Sequence, residues 1–257
     1  MNLNNFSVFN ESWLKRLIKS QESFEYNIFR ENKKYHNMKN IVILGSGAVA
    51  AELTFYIADN NSKVENEEKI NIVGYIEYDY NLEKFYNKYN FEAPVLGDID
   101  SYSPAPDEEV LIGVSDINFR KKMIDALLNK NAKIGSFIHH TVIIPKSIKV
   151  GVGLIVYPFC IIEQFSIIGD YNLLTSYSFI SHDCVIGNNN FISTAGIAGT
   201  VTVGNDNYFG IRSTIVPHVT IGNNNVIQAG MVVNKSIKDD TTVYYRYKEQ
   251  VLAIPKA

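Results

Sequence analysis

A six-residue repeat of apolar side chains occupies the C-terminal part of the chain. Stepping by six from Ile138 reaches an aliphatic residue every time as far as Ile192, and after one five-residue step the series resumes at Ile197 and runs to Val233. A helix repeats after about 3.6 residues and a half-buried strand after about two, so this period requires short strands that turn a corner after every hexad. The repeat predicts a hexapeptide β-helix, with a tightened corner at residues 193–196.

A second spacing supports this prediction. Aliphatic-Gly pairs recur every eighteen residues, except for one gap of seventeen, at Val150-Gly151, Ile168-Gly169, Ile186-Gly187, Val203-Gly204 and Ile221-Gly222. Three hexads therefore make one coil of a triangular prism, and each coil contacts only its neighbours. Asn runs such as 188–190 and 223–225 suit corners, because Asn tolerates left-handed backbone.

Composition describes a soluble globular chain with room for two domains. The chain has 257 residues, 46% of them hydrophobic and 20% charged, with a net charge of -3 and two cysteines. The acidic balance argues against nucleic acid as a partner, and no apolar run reaches membrane-spanning length. The N-terminus lacks the pattern of a secretory signal, so we expect a cytoplasmic protein. Cys160 and Cys184 are expected to be packed residues rather than a disulfide.

The pattern divides the chain into four parts. Residues 1–37 are expected to form a helical extension, 38–136 a Rossmann-like α/β domain, 137–240 a left-handed β-helix and 241–257 a tail. No flexible linker separates the α/β domain from the β-helix, so we expect them to be rigidly joined. The tail places two cations, Arg246 and Lys248, among tyrosines, and we predict that they bind the cofactor.

The α/β part begins with a glycine turn. A buried strand at residues 41–44 leads into Gly45-Ser46-Gly47, and a helix follows. Glycines let the backbone approach a diphosphate, and the helix N-terminus attracts negative charge. A second strand at 70–75 runs toward Glu77 and Asp79, whose carboxylates can bind a base or ribose.

A third strand at residues 110–114 is followed by Asp116 and by a helix over about 118–129 that carries Arg120 near its start. We include both side chains among the substrate-binding candidates. About one hundred residues are too few for a complete dinucleotide-binding array, so half of a nucleotide site is the better match. The alternative is a small α/β cap that binds no ligand.

His182 stands out among the five histidines. It holds the third position of the hexad that starts at Ile180, so it should point outward, and Asp183 follows it. A neutral imidazole held by a carboxylate can accept a proton from an amine or hydroxyl. Cys184, two residues on, is expected to point to the same face without acting as a nucleophile. Neither the HExxH nor the paired CxxC spacing is present, so no metal site is predicted.

Several motifs taken together resemble the NeuD/PglD family of bacterial sugar acyltransferases. The motifs are Gly45-Ser46-Gly47, residues 73–77 and 95–98, and above all the block Ser181-His182-Asp183-Cys184-Val185-Ile186-Gly187, in phase with the hexads and followed by Ala198-Gly199. Members include nucleotide-amino-sugar N-acetyltransferases and sialic acid O-acetyltransferases. The resemblance covers residues 38 to the end.

This resemblance implies a set of roles. His182 would be the general base and Asp183 its orienting partner. A backbone N–H at Ala198-Gly199 would bind the thioester carbonyl. Ala229 and Gly230 would line the acetyl-CoA channel. The glycine turn would bind a diphosphate and Glu77 the base. Family members are trimers with active sites between subunits.

The chain departs from the family pattern at three places near the site. Phe191 stands where members often have a second His, one residue is missing between His182 and Gly199, and Glu77 is followed by Tyr78 rather than a second acid. We expect an acetyl-CoA-dependent, metal-free N-acetyltransferase acting on a nucleotide-linked amino sugar, such as a 4-amino-4,6-dideoxyhexose, for surface-glycan synthesis. The alternatives are an O-acetyltransferase of the sialic acid type and a catalytically silent trimeric scaffold.

Overall fold

The computed structural model describes residues 38–78 and 88–245. The predictions for the N-terminal extension, Asp79, Arg246 and Lys248 therefore lie outside the described residues. Within those ranges no helix is both long and apolar enough to cross a bilayer.

The first part is a four-stranded parallel sheet in the order β3-β2-β1-β4. Its elements are β1 (Lys39–Leu44), α1 (Ala48–Asn61), a 3₁₀ turn (Asn66–Glu68), β2 (Ile70–Glu77), β3 (Val95–Asp98), β4 (Glu108–Ile112) and α2 (Ile117–Asn129). The predicted strands and helices are present, and β3 is an additional edge strand. The strand order reverses between β1 and β4, which is where open α/β sheets bind ligands.

The second part is a β-helix, as the hexads predict. Two-residue strands follow one another at nearly constant spacing: β5 (Phe137–Ile138), β6 (Lys149–Val150), β7 (Ile155–Val156), β8 (Ile161–Ile162), β9 (Ile167–Ile168), β10 (Leu173–Leu174), β11 (Phe179–Ile180), β12 (Val185–Ile186), β13 (Phe191–Ile192), β14 (Gly196–Ile197), β15 (Thr202–Val203), β16 (Tyr208–Phe209), β17 (Thr214–Ile215), β18 (Thr220–Ile221), β19 (Val226–Ile227), β20 (Val232–Val233) and β21 (Thr242–Val243). Because β21 pairs with β19, the sheet continues past the predicted end at residue 240.

These strands form three parallel sheets, which we call faces. Face I contains β5, β7, β10, β13, β16, β19 and β21, face II contains β8, β11, β14, β17 and β20, and face III contains β6, β9, β12, β15 and β18. The chain visits faces I, II and III in turn. The three lines of corners between them are named edges I/II, II/III and III/I.

The full corners that follow the anchors from Val150 to Ile227 share one backbone geometry. In each of them the third residue after the anchor is left-handed, for example Asp183 with φ 58° after Ile180. At the five-residue step the left-handed residue is Thr194, only two residues after Ile192. The expected tightened corner is therefore present on edge I/II.

The interior contains a second column that the hexad count did not predict. Besides the anchors, the residue two positions before each anchor from Val156 onward is buried, and on edge III/I from the coil of Leu174 onward this position is Asn172, Asn190, Asn207 and Asn225. Each asparagine accepts a backbone N–H from the next coil, as from Asn190 N to Asn172 Oδ1 at 2.8 Å. The ladder lets amide side chains occupy an apolar core, because buried polar groups need hydrogen-bond partners.

Face I packs against the α/β part. One buried apolar cluster joins Ile43 and Leu53 to Phe137, Leu173 and Phe191. From Phe137 to Phe191 the outward side chains of face I are therefore core residues. Phe191, which replaces the second histidine of the family pattern, stacks on Tyr208 with ring centroids 5.5 Å apart.

Candidate active site

His182 and Asp183 lie at the corner between β11 and β12, on edge II/III. His182 Nδ1 is 2.8 Å from Asp183 Oδ2, and the two side chains are 59% and 54% exposed. With Asp183 as an acceptor, Nδ1 carries the proton and Nε2 presents its lone pair to solvent. Asp183 is the left-handed residue of this corner, with φ 58°, a conformation that Asp tolerates better than most residues.

Gly199 occupies the same corner one coil further on. β11 pairs with β14 and β12 with β15, and the Thr200 N–H donates to the His182 carbonyl at 3.0 Å. A Cβ built on Gly199 would lie 2.8 Å from both Cε1 and Nε2 of His182. The imidazole therefore leans over the Gly199 backbone. The missing residue lies on edge I/II, so it does not shift Gly199 relative to His182.

The N–H of Gly199 is free in the described part of the chain. Gly199 is the second residue after the anchor Ile197. At the equivalent position on edge III/I, every backbone N–H donates to a side chain of the next coil; the donors are Val152, Asp170, Asn188, Asn205 and Asn223. On edge II/III the His182 N–H donates to Glu163 Oε2 at 3.0 Å, whereas Gly199 N has no acceptor among the described residues. A free backbone donor therefore lies beside a free imidazole nitrogen.

Cys184 is not on the face that the sequence predicted. It is fully buried among the core residues, and its thiol donates to the Ala198 carbonyl at 3.2 Å. Residues two apart share a face only in a continuous strand, and the turn at Asp183 reverses the direction between His182 and Cys184. Burial raises the pKa of the Cys184 thiol, which further excludes it as a nucleophile. Both cysteines are free, as expected.

The glycine turn lies at the carboxyl ends of β1 and β2. Gly45 has φ +95°, and a Cβ there would lie 2.9 Å from Val114 Cγ1, so only glycine fits. Gly47 is the N-cap of α1, and a Cβ on it would meet no atom within 4 Å. Open space thus adjoins the N-terminus of a fourteen-residue helix.

Ser46 and Glu77 are buried behind this turn. Ser46 Oγ and both carboxylate oxygens of Glu77 lack a hydrogen-bond partner within the described ranges. Burial raises the pKa of Glu77, and the nearby Ser46 hydroxyl opposes this shift without reaching hydrogen-bond geometry. Burying a carboxyl without partners is costly, so this is an unusual pair for a purely structural region.

Of the two candidates after β4, one is wrong as a ligand contact. Arg120 is fully buried, and its guanidinium donates to the carbonyls of Ile112, Val114 and Tyr171 and to Asn189 Oδ1. It fastens α2 to edge III/I and has no free donor face. The sequence could not show this, because Tyr171 and Asn189, which supply two of the acceptors, are distant in sequence from Arg120.

Asp116 caps α2, accepting the Phe119 N–H at 2.8 Å. It also lines a cavity of about 310 Å³ between α2 and face I, together with Ser115, Tyr208 and Asn224. The position is thus compatible with both a structural role and a ligand contact.

Ala229 and Gly230 lie on a different edge from His182. They form the corner between β19 and β20 on edge I/II, where Gly230 has φ +73° and a Cβ on it would meet no atom within 4 Å. The Tyr245 hydroxyl donates to the Gly230 carbonyl at 3.1 Å. One chain therefore brings His182, Asp183 and Gly199 together but leaves Gly230 across face II.

Fold and site together define a class of protein: an α/β domain on a hexapeptide β-helix, with a His-Asp pair at one corner. Solved structures with a similar fold include the acetyltransferase domain of PglB from Neisseria gonorrhoeae in complex with acetyl coenzyme A, with 18% identity, a TM-score of 0.64 and coverage of 80% of this chain and 96% of that one. PerB from Caulobacter crescentus, in complex with CoA and GDP-perosamine, has 20% identity, a TM-score of 0.65 and coverage of 81% and 95%. WeeI from Acinetobacter baumannii has 20% identity, a TM-score of 0.60 and coverage of 79% and 94%.

These likenesses confirm the fold expected from the family resemblance. No protein-family model and no curated protein sequence matches the chain. At 18–20% identity the three structures establish architecture alone. The activity therefore depends on the chemistry of this chain's own residues.

Proposed function

We propose that the protein is an acetyl-CoA-dependent N-acetyltransferase that acts on the amino group of a nucleotide-linked amino sugar. The observation that carries the proposal is the free Gly199 N–H beside the free Nε2 of His182. Acyl transfer needs a base for the nucleophile and a donor for the carbonyl oxygen, close together. Solved neighbours with bound acetyl-CoA or CoA, one of them with GDP-perosamine, support the choice of substrates.

The residues perform the reaction as follows. The sugar amine attacks the thioester carbon, and the carbonyl oxygen gains negative charge that the Gly199 N–H stabilises. His182 Nε2 accepts the proton of the attacking amine, and Asp183 stabilises the imidazolium through Nδ1. Collapse of the tetrahedral intermediate breaks the C–S bond, and the CoA thiolate receives the proton from His182. The product is an amide.

The α/β part is proposed to bind the nucleotide. The diphosphate would lie at Gly45, Ser46 and Gly47, where the first N–H groups of α1 are oriented toward open space. Glu77 would accept hydrogen bonds from the base or ribose, with Asp79 as a further candidate. A buried carboxyl that lacks partners supports this assignment.

We further propose that a homotrimer completes the site. Face II, which separates Gly230 from His182, exposes Ile161, Phe179 and Val232 at 40%, 42% and 65%. Exposed apolar patches mark interaction surfaces. A threefold axis along face II would bring edge I/II of one chain to edge II/III of the next. Acetyl-CoA would then bind beside the His182 of one chain and contact Ala229, Gly230 and the tail cations Arg246 and Lys248 of its neighbour. The product would serve surface-glycan assembly, such as O-antigen, in the cytoplasm.

The test is release of the CoA thiol from acetyl-CoA with UDP-, dTDP- and GDP-linked 4-amino-4,6-dideoxy sugars, with free sialic acid alongside. Turnover with a nucleotide sugar that His182→Ala abolishes supports the proposal. Turnover with the free sugar alone would replace it with O-acetylation and leave the α/β part as a cap. Binding of acetyl-CoA without turnover on any acceptor would favour a scaffold.

A further inference from the structure

Three side chains with metal-binding atoms meet where the C-terminal end of α1 lies on the first coil of the β-helix. They are Asp59 from α1 and His139 and His140, which directly follow β5. One ligand atom from each lies within 4.8 Å of the other two. His139 Nε2 is 3.1 Å from Asp59 Oδ2, and the centroids of the two imidazole rings are 4.3 Å apart.

The surrounding residues hold this cluster in place. The His139 side chain is 1% exposed, and its Nδ1 is 2.9 Å from Thr141 Oγ1. That hydroxyl also accepts the Phe159 N–H from the next coil. Asn60, beside Asp59, accepts the backbone N–H of His140 at 2.8 Å. A ligand imidazole in a metal site donates a hydrogen bond from its other ring nitrogen. His139 Nδ1 has both Thr141 Oγ1 at 2.9 Å and the Thr141 N–H at 3.4 Å beside it, so coordination through Nε2 requires the tautomer in which Nδ1–H donates to Thr141 Oγ1.

The donor set has the chemistry of a transition-metal site. Two imidazoles and one carboxylate suit Zn²⁺ and related ions, which take nitrogen and oxygen ligands at about 2.0–2.2 Å. Adjacent ligand atoms in such a tetrahedral site lie about 3.3 Å apart, close to the observed 3.1 Å between His139 and Asp59.

The cluster opens onto a cavity that provides an entry path. The cavity has a volume of about 340 Å³ and is lined by Tyr56, Asp59, His139 and Ser176, with Phe159 and Tyr177 at its rim. It has room for water to complete the coordination of an ion, since one water needs a share of about 30 Å³.

We propose that Asp59, His139 and His140 form a binding site for one divalent cation of the Zn²⁺ class, with water from the cavity as a further ligand. A hydrogen bond between Asp59 and His139 explains the closeness of those two residues alone. It gives no reason for His140 to bring a third ligand atom to the same point. The bound ion would link α1 to the first coil, whose residues are about eighty positions apart in sequence. The proposal is independent of acetyl transfer.

The experiment uses the full chain without a tag, treated with chelator and then titrated with Co²⁺ while visible absorption is recorded. Zn²⁺ is followed by calorimetry, and the melting temperature is measured with and without the ion. The variants are Asp59→Asn and His140→Ala, both at exposed positions that should not affect folding. The matched control is His218→Ala, an exposed histidine on edge II/III.

We expect one ion per chain with the spectrum of low-coordinate Co²⁺, displaced by Zn²⁺, and a rise in melting temperature on binding. Asp59→Asn and His140→Ala should each weaken binding at least tenfold and abolish the rise, while His218→Ala should match the wild type. The proposal is overturned if the wild type shows no saturable binding at tenfold excess of ion. It is also overturned if either of the two cluster variants binds as tightly as the wild type.

Discussion

Adding a single methyl group at Gly199 is the sharpest test of how the catalytic corner works. A Cβ on Gly199 would lie 2.8 Å from Nε2 and Cε1 of His182, and ordinary contact begins at 3.4 Å, so the ring must move by about 0.6 Å. The backbone of Gly199 is not left-handed, so alanine brings no conformational strain of its own. The whole effect should therefore act through the imidazole.

The expected loss follows from the size of that shift. A displacement of about 1 Å in a reacting group can lower the rate about a hundredfold. A movement of about 0.6 Å should therefore lower kcat about ten- to a hundredfold, or about 1.4 to 2.7 kcal/mol in the activation barrier. The melting temperature should stay nearly constant, because the His182 side chain is 59% exposed and can rotate into solvent.

The assay is steady-state CoA-thiol release for wild type, Gly199→Ala, His182→Ala and the double variant. If Gly199→Ala acts by displacing the base, the double variant should be no slower than His182→Ala alone, because residues that act as one unit are not additive. Two results would refute the reasoning. One is a Gly199→Ala variant within twofold of the wild type, and the other is additive losses in the double variant.

Four further predictions concern other parts of the site. Glu163→Ala should lower kcat several-fold without changing the KM for acetyl-CoA, because the His182 N–H loses its acceptor, and Glu163→Gln should restore the rate by keeping a carbonyl oxygen in place. Arg120→Met should lower the free energy of unfolding by about 3 kcal/mol or more in urea titrations, because several buried acceptors lose their donor. Glu77→Gln should raise the melting temperature at pH 7 but not at pH 4, while weakening binding of the nucleotide sugar. The folded-state pKa of Glu77 is raised, so folding stability falls as pH rises from about 4.5 through that higher value, and equal effects at both pH values would contradict this. Mixing inactive His182→Ala and Gly230→Trp subunits, then unfolding and refolding them together, should recover part of the activity if His182 of one chain and Gly230 of its neighbour share a site, and no recovery would contradict that arrangement.

The sequence by itself determined the repeating parts of the molecule. In a β-helix each coil contacts only its neighbours, so a local six-residue rule specifies the fold from Ile138 to Val233 without long-range information. The glycine turn and its flanking elements were also readable, because the backbone conformation of Gly45 depends on adjacent residues. The outward direction of His182 followed from its position within a hexad.

Only the tertiary structure decided which of these residues meet. The approach of Gly199 to the His182 ring depends on the register between coils. The residue missing between His182 and Gly199 made that register ambiguous in the sequence, and the structure resolves it by placing the shortened corner on edge I/II. Arg120 is buried because its hydrogen-bond acceptors come from other segments of the chain. Cys184 points inward because the turn at Asp183 reverses the direction of successive side chains, which the hexad pattern does not show. The Asp59, His139 and His140 cluster joins residues about eighty positions apart. Such contacts arise from packing between segments, and no local pattern of side chains records them.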